Sequence, residues 1–374
     1  MIDVFWHDAV LDHDTGEGHF ELPASPLLAV QERHPESAPR IANMKSMLER
    51  GPLADRVRWR DGRLAEVAEL QTVHDPAYVA WVQEAIAGGG TRLYGHTVLT
   101  PRSWEPLRAA AGTALAATDA VLAAGGGDEA ARVALALVRP PGHHAQPARA
   151  DGYCFFNHVA LAAERARRAG VERVAIVDWD VHHGNGTQAC FYERADVLTI
   201  SLHMRTGLWG PSHPQTGGPS ETGLGPGAGH NVNVELPLGS GDLAYAMAFD
   251  RIVAPILREY DPQLIVGACG QDASAFDPNG RMNVTMDGFR ALGRSMGTLA
   301  DELTDGRLLL VQEGGYAPTY AAFCLHATLE GVLGEPEPLL QETLAFFGDD
   351  LGTARAAIDG VHSALARHWA LRAR

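Results

Sequence analysis

An aspartate and a histidine stand two residues apart at Asp180 and His182, directly after an apolar run. On an extended segment such residues point to the same side, so one carboxylate and one imidazole can share a cation. Asp272, from a distant Gly-Gln-Asp sequence, would complete three protein ligands. Such a set leaves a fourth position open for water or substrate, as catalytic zinc sites do. These residues predict a hydrolase that activates water with a metal.

Further polar motifs lie at the ends of other apolar runs. They are the tandem pair His143-His144 after two prolines and a glycine, and Tyr316 after Glu-Gly-Gly. Alone, a tyrosine in such a place is most often a packed loop aromatic, and paired glycines are equally consistent with a plain turn. Metal-competent residues at four such positions are an improbable outcome of core packing, because buried Asp and His are rarely unpaired.

Strand-length apolar runs alternate with helical segments along the chain. The predicted strands are residues 133–138, 173–178, 197–202, 263–268 and 308–312, and the predicted helices are 105–122, 159–168, 243–259, 286–303, 319–333 and 354–367. We expect Asp242 to cap the third helix and Asp287 to lie in the first turn of the fourth. This alternation predicts an α/β fold with a mainly parallel sheet and helices on both faces. The polar motifs would then meet at the carboxyl edge of the sheet, where ligands bind.

Composition restricts the class of protein. The 374 residues carry a formal net charge of -16, which argues against a nucleic-acid partner and favours neutral or cationic substrates, although solubility alone explains an acidic surface. Four cysteines without CxxC spacing predict a reduced, cytoplasmic protein. We find no signal peptide and no apolar run long enough for a membrane span. Lys45, the only lysine among many arginines, suggests GC-rich codon usage and a bacterial source.

These motifs together resemble the histone deacetylase superfamily of zinc amidohydrolases, which shares its fold with arginase. The resemblance is closest to class II-like bacterial amidohydrolases and acetylpolyamine amidohydrolases. It implies a three-layer α/β/α arginase-deacetylase fold. It also implies a single domain over residues 1–374, with a core at about 7–333 and a helical extension at about 335–374.

The resemblance assigns roles to the motif residues. Asp180, His182 and Asp272 match the zinc ligands, and the matched catalytic positions are His143, His144, Tyr316, Asp178 and Asn185. His144 is expected to accept a proton from water, while His143, paired with Asp178, stabilises negative charge. The neutral amide of Asn185 leaves His144 free to take that proton.

A potassium ion beneath the zinc is also implied. Its ligands would come from Asp178, Asp180, His182, Ser201 and Leu202, and oxygen-only coordination suits a hard cation. A second potassium site is suggested by position near Phe191, Arg194 and Val197.

The substrate residues implied by the resemblance are Gly152, Tyr153, Trp209, Asn279, Gly314, Gly315 and Arg40. Tyr153 and Trp209 stand where the family has aromatic tunnel walls, although Trp209 could instead pack against Pro211. Arg40 matches an arginine near an internal acetate path, with a surface salt bridge as the alternative. Gln271 replaces the usual apolar residue and could hydrogen-bond a ligand carboxylate.

Three functions remain open at this stage. The first is a zinc deacylase that acts on acyl-lysine or small acylated amines. The second is an acetylpolyamine amidohydrolase, although Asn279 stands where one polyamine-specific branch has a glutamate. The third is a non-catalytic zinc- or acyl-ligand-binding module, which the presence of Tyr316 and both histidines disfavours. Arginase-type chemistry would need a two-metal carboxylate set. A homo-oligomer is compatible with the C-terminal helical segment.

Overall fold

Eight parallel strands form the centre of the molecule in this computed structural model, which describes residues 1–19, 22–94, 96–123, 132–205, 216–342 and 349–371. In chain order, the strands in these ranges are β1 (Ile2–Trp6), β2 (Gly18–His19), β3 (Leu22–Pro23), β4 (Val57–Asp61), β5 (Thr91–Leu93), β6 (Thr97–Leu99), β7 (Val133–Ala136), β8 (Val174–Asp178), β9 (Val197–Met204), β10 (Asn231–Leu236), β11 (Leu264–Cys269) and β12 (Leu308–Gln312). Strands β2 and β3 pair with each other, as do β5 and β6, outside the main sheet.

The main sheet has the order β10-β9-β8-β11-β12-β7-β1-β4. Every neighbouring pair in it is parallel, so the predicted parallel sheet is confirmed. All of the predicted strands are present, and β12 has the predicted ends. Strands β1, β4 and β10 were not predicted from the sequence.

Both faces of the sheet are buried, which explains the near-continuous apolar runs of its central strands. In β12, Leu308 and Leu310 belong to one hydrophobic cluster, whereas Leu309 and Val311 belong to another. This alternation follows from the two-residue period of a strand. The strands therefore supply two separate cores and need a helical layer on each side.

Helices form both outer layers. Within the described residues they are α1 (Ala38–Arg50), α2 (Val67–Leu70), α3 (Pro76–Ala87), α4 (Trp104–Ala123), α5 (His158–Arg168), α6 (Asn185–Phe191), α7 (Asp242–Ala248), α8 (Ala254–Tyr260), α9 (Met286–Leu303), α10 (Tyr320–Val332) and α11 (Leu351–Leu365). Helices α4 and α5 contribute to one core, and α1, α9, α10 and α11 contribute to the other. The predicted three-layer α/β/α arrangement is thus confirmed. None of these described helices has the length and apolarity needed to cross a bilayer.

Helix prediction succeeded best where a capping residue marks the start. Helix α9 has the predicted bounds, and the hydroxyl of its cap Thr285 accepts a hydrogen bond from Gly288 N. Asp287 lies in its first turn, as expected. The predicted helix 243–259 is instead divided into α7 and α8 by a π-helical turn at Phe249–Val253. Pro255, in the first turn of α8, has no backbone N–H, which removes one α-helical hydrogen bond there.

The predicted capping role of Asp242 is wrong. Gly241 occupies the cap position of α7, and the carboxylate of Asp349 accepts from its backbone N–H and from Leu243 N. The Asp242 carboxylate turns away and accepts from Thr285 N and Thr285 Oγ1, at 2.8 and 2.6 Å. Asp349, more than 100 positions away in sequence, thus accepts hydrogen bonds from backbone N–H groups at the start of α7.

The C-terminal segment packs on the body of the protein. Helix α11 contacts β10 and α7, and the indole of Trp369 donates to Gly229 O at 2.8 Å. Ile358 and Leu365 of α11 are fully buried in the larger core. The segment therefore covers the β10 edge of the sheet.

Candidate active site

The predicted site residues meet at the carboxyl edge of four adjacent strands. His143 and His144 follow β7, Asp180 and His182 follow β8, Asp272 follows β11, and Tyr316 follows β12. The order β8-β11-β12-β7 places these four strand ends side by side. In a parallel sheet they all lie at one edge, so residues from distant parts of the sequence share one site.

Asp180, His182 and Asp272 form a buried group suited to a metal ion. Their candidate ligand atoms all lie within 4.8 Å of one another. His182 Nδ1 lies 3.1 Å from Asp180 Oδ1 and 3.1 Å from Asp272 Oδ2. Asp272 Oδ2 accepts no well-aligned hydrogen bond from the described residues. A buried carboxylate oxygen in that condition is costly unless it binds a cation.

Backbone N–H groups orient the two carboxylates. Asp180 Oδ1 accepts from His182 N at 2.9 Å, and Asp180 Oδ2 accepts from Gly314 N at 2.7 Å. Asp272 Oδ1 accepts from Val181 N at 2.9 Å, which leaves Oδ2 as the atom that faces the cluster. These contacts fix the carboxylates before any ion binds, as partners of metal ligands commonly do.

The electrostatics of the cluster call for positive charge. Burial disfavours an imidazolium at His182, but the adjacent carboxylates of Asp180 and Asp272 outweigh burial and raise its pKa to about 10. Burial and the charge of Asp180 raise the pKa of Asp272 to about 6. A proton on His182 would offset one of the two negative charges. A divalent cation would supply that charge and leave a neutral imidazole ligand, so one imidazole and two carboxylates fit zinc.

Gly314 and Gly270 leave the room that these carboxylates need. A Cβ at Gly314 would lie closer than 3.0 Å to both Asp272 Oδ2 and Asp180 Oδ2. A Cβ at Gly270 would be equally close to Asp180 Oδ2. The glycine pair of the Glu-Gly-Gly-Tyr motif is therefore more than a plain turn, because Gly314 borders the metal group directly.

The tandem histidines stand beside this group, each with a different partner. His143 Nδ1 lies 2.9 Å from Asp178 Oδ2, and His144 Nδ1 lies 2.6 Å from Asn185 Oδ1. Their ring centroids are 4.0 Å apart. Burial opposes charge on His143, but the carboxylates of Asp180 and Asp178 overcome it and raise its pKa well above the ordinary value. His143 is therefore suited to carry positive charge.

Glu313 holds the loop that carries the histidines. Its Oε2 accepts from Gly142 N at 2.6 Å and from His143 N at 3.1 Å. Burial raises the pKa of this carboxyl group to about 8. The sequence motif contained Glu313, but no role was predicted for it.

Tyr316 lies in the same site with a buried ring. Burial raises the pKa of its phenol well above the ordinary value, so the hydroxyl is neutral and can donate a hydrogen bond. Asp277 fixes the backbone of this loop, because its Oδ2 accepts from Tyr316 N at 2.6 Å and from Ala317 N at 3.3 Å. Asp277 was also not predicted to matter.

Arg40 is fully buried, so the surface alternative is wrong. Its Nε donates to Gly315 O at 2.8 Å, and its Nη2 donates to Glu313 O. The guanidinium carbon lies 5.0 Å from the ring centroid of Tyr316. Arg40 thus supports the loop that carries Tyr316.

Gly152 and Tyr153 form a tight turn against the site. Their φ angles are +49° and +69°, and a Cβ at Gly152 would lie closer than 3.0 Å to the ring of His144. The Tyr153 ring lies 5.5 Å from that of Tyr316, and its hydroxyl accepts from Asn279 Nδ2 at 3.1 Å. Tyr153 and Asn279, two of the predicted substrate residues, are therefore in contact. Trp209, the other predicted wall, lies outside the described residues.

Gln271 does not hydrogen-bond a ligand carboxylate as suggested from the sequence. Its Nε2 donates to Cys269 O at 2.9 Å, and its Oε1 accepts from Gln312 Nε2 at 2.7 Å. Gln312 Nε2 also donates to Gly314 O at 2.9 Å. A second glutamine, distant in sequence, satisfies Gln271 and ties it to the Glu-Gly-Gly-Tyr loop.

Three of the residues implied for potassium lie on adjacent strands, and Asp180 and His182 follow the first of these strands. Asp178 of β8 and Ser201 of β9 are register partners, and Leu202 follows in β9. Near Phe191 and Val197, where a second site was suggested, the Arg194 guanidinium is engaged by Glu164 and Asp196.

The protein has a parallel sheet between two helical layers, with two carboxylates and one imidazole able to hold a metal ion at the carboxyl edge of the sheet. This combination defines a class of metal-binding α/β proteins. Comparisons with known proteins narrow this class. The histone deacetylase domain matches residues 34–332. The chain belongs to the histone deacetylase family.

Three named relatives are similar in sequence to this protein over most of its chain. Histone deacetylase 8 of Arabidopsis thaliana is 48% identical over 363 residues, which cover 96% of this chain and 95% of that protein. A histone deacetylase-like amidohydrolase of Pseudomonas aeruginosa is 42% identical over 336 residues, with 88% and 85% covered. The human polyamine deacetylase HDAC10 is 36% identical over 320 residues, with 82% and 45% covered.

A solved structure supports the fold. The crystal structure of the HDA15 HD domain superposes with a TM-score of 0.82 at 31% identity, covering 98% of this chain and 95% of that one. The predicted family and the arginase-deacetylase fold are therefore confirmed. Deacetylases and amidohydrolases among the relatives support an enzymatic function.

Proposed function

We propose that this protein is a zinc-dependent amidohydrolase that removes acyl groups, acetyl in particular, from acyl-lysine side chains or small acylated amines. The carrying observation is the buried group of Asp180, His182 and Asp272, with two differently paired histidines and a neutral tyrosine around it. Residues 1–374 would act as one domain.

Zinc would be held by Asp180, His182 and Asp272. When bound, the ion lowers the pKa of a coordinating water from 15.7 to about 7 and polarises the carbonyl oxygen of an amide. Three protein ligands leave room for both functions. We also propose a potassium ion beneath the zinc, near Asp178 of β8 and near Ser201 and Leu202 of β9.

The two histidines would divide the proton chemistry. His144 donates from Nδ1 to Asn185 Oδ1, so its Nε2 can take a proton from the attacking water as general base. His143 carries positive charge beside Asp178 and stabilises the anionic transition state electrostatically. A proton held by either ring can then pass to the leaving nitrogen.

Tyr316 would stabilise the oxyanion. Its neutral hydroxyl can donate to the carbonyl oxygen as negative charge develops there, and Arg40 and Asp277 hold its loop in place. Because the phenol is buried, the hydrogen bond forms in a medium of low dielectric constant, where it is worth more than in water.

The substrate side of the site supports acyl-lysine over charged polyamines. Tyr153 and Asn279 are uncharged and hydrogen-bonded to each other, so they offer no anion to a distant ammonium group of the substrate. An acetylpolyamine function remains the second candidate because human HDAC10, named a polyamine deacetylase, is among the relatives. A non-catalytic binding module would not require Tyr316 or two differently paired histidines.

Metal removal tests the proposal directly. We expect the purified protein to hydrolyse an acetyl-lysine peptide, to lose at least about 100-fold of its rate after dialysis against a chelator, and to recover with one equivalent of zinc. Acetylputrescine and acetylspermidine are assayed in parallel, and metal content is measured by elemental analysis.

The outcomes separate the candidates. Faster turnover of the acetylpolyamines would favour the second function. Zinc binding without turnover of any acetylated or longer-chain acylated amine would favour the binding module. Full activity in metal-free protein would refute the zinc mechanism.

A further inference from the structure

A buried chain of three side chains leads away from the tandem histidines. His144 Nδ1 lies 2.6 Å from Asn185 Oδ1, and Asn185 Nδ2 donates to Asp151 Oδ2 at 3.0 Å. His144, Asn185 and Asp151 are 3%, 5% and 2% exposed, so water has little access to these bonds. The sequence predicted roles for His144 and Asn185, but none for Asp151.

The donor and acceptor properties of these three groups fix the direction of the hydrogen bonds between them. An ionised carboxylate only accepts hydrogen bonds, whereas an amide has one end that donates and one that accepts. Asp151 therefore selects the NH2 end of Asn185 and turns the amide oxygen toward His144. An oxygen in that place requires a proton on His144 Nδ1, so the lone pair of the neutral ring lies on Nε2.

We infer that Asp151 is a positioning residue that fixes the amide of Asn185 and thereby holds His144 in the tautomer whose Nε2 can accept a proton. This inference rests on the proposed function, in which His144 is the general base. Without Asp151 the amide of Asn185 can turn over. Its NH2 group would then face His144 Nδ1, and the ring proton would move to Nε2, where no proton can be taken up.

The backbone holds Asp151 firmly enough for this role. Asp151 N donates to Cys154 O at 3.1 Å, and Cys154 N donates to Asp151 O at 2.7 Å. The two residues between them, Gly152 and Tyr153, both have positive φ, which is the geometry of a tight type I′ turn. One turn thus carries the orienting carboxylate, the glycine under His144 and the tyrosine of the substrate side.

The Asn185 amide is the reason that an orienting group is needed. A carboxylate at position 185 would present an acceptor oxygen to His144 in either orientation. Asp151 would then have no amide to orient, and its carboxylate would share a proton with the new one, because two buried carboxylates about 3.0 Å apart cannot both ionise. The effect of removing Asp151 should therefore depend on the residue at position 185, which a general loss of stability would not predict.

The experiment is a double-mutant cycle with Asp151→Asn and Asn185→Asp in the zinc-loaded full chain. Asp151→Asn should lower kcat by about 10- to 100-fold with KM nearly unchanged. In a serine-protease triad, where a similar exchange imposes the wrong tautomer, roughly 10,000-fold is lost. Adding Asp151→Asn to Asn185→Asp should cause no further loss. If Asp151→Asn does not fold, Asp151→Ser replaces it. A serine hydroxyl can donate as well as accept, so it does not fix the orientation of the Asn185 amide.

A second readout does not depend on turnover. In protein labelled with 15N-histidine, the nitrogen shifts of His144, assigned by comparison with His144→Ala, report which nitrogen carries the proton. We expect Nδ1–H in the wild type and a shift toward Nε2–H in Asp151→Asn. Melting temperature and zinc content are measured for each variant.

Three results would overturn the inference. They are an equal loss of kcat on both backgrounds, an unchanged tautomer in Asp151→Asn, or a loss of rate that follows the melting temperature alone. An inactive wild type with the expected tautomers would count against the proposed function and leave the positioning role of Asp151 standing.

Discussion

Replacing Tyr316 with phenylalanine is expected to lower kcat for an acetyl-lysine peptide by about 100- to 1,000-fold, the loss typical when one oxyanion donor is removed. KM should change far less, because the hydroxyl acts on charge that develops only in the transition state. The ring remains, so its contacts with Arg40 and Tyr153 persist. Steady-state kinetics with matched zinc content give the comparison.

Tyr245→Phe is the matched control. Tyr245 is fully buried, and its hydroxyl has no hydrogen-bond partner in the part of the chain that the structure describes. Removing that hydroxyl should leave kcat within about twofold and stability nearly unchanged, because no satisfied bond is lost. If Tyr316→Phe retained most of the wild-type rate, oxyanion stabilisation would have to come from another group.

Replacing Gly314 with alanine is expected to weaken zinc binding by about 10- to 100-fold and to lower activity with it. The added methyl group would lie closer than 3.0 Å to Asp272 Oδ2 and Asp180 Oδ2, the carboxylates proposed to hold the metal. Overpacking typically costs about 1–3 kcal/mol, and disturbing the partners of metal ligands weakens binding about 10- to 100-fold. Competition with a fluorescent zinc chelator measures the affinity.

Gly360→Ala controls for the glycine exchange itself. Gly360 lies in α11, and nothing lies within 4 Å of where its Cβ would be. Alanine there should raise the free energy of unfolding by up to about 1 kcal/mol and leave zinc affinity unchanged. Unchanged zinc affinity in Gly314→Ala, with the protein folded, would mean that the metal is not held between these two carboxylates.

The motif residues were predictable because each follows an apolar run. Parallel strands that are buried on both faces are nearly continuous apolar segments, and the residue after such a strand must lie at the sheet edge. That reasoning found Asp180, Asp272 and Tyr316. Strand β4 was not found, because it is only half-buried and carries two arginines.

The supporting residues were not predictable in the same way. Asp277 and Glu313 accept hydrogen bonds from the backbone of loops that belong to other motifs. Asp349 caps α7 from the far end of the chain. A short-range pattern contains no information about which distant N–H group will lack a partner after folding.

The sequence by itself determined the sheet type, the helical layers and the residues able to hold a metal, because these depend on local periodicity and residue chemistry. Only the tertiary structure decided their relations. The strand order placed four motifs side by side, Arg40 was buried beneath Tyr316, and Asp151 was brought to Asn185. These contacts join segments far apart in sequence, so they depend on packing and hydrogen bonding across the whole fold.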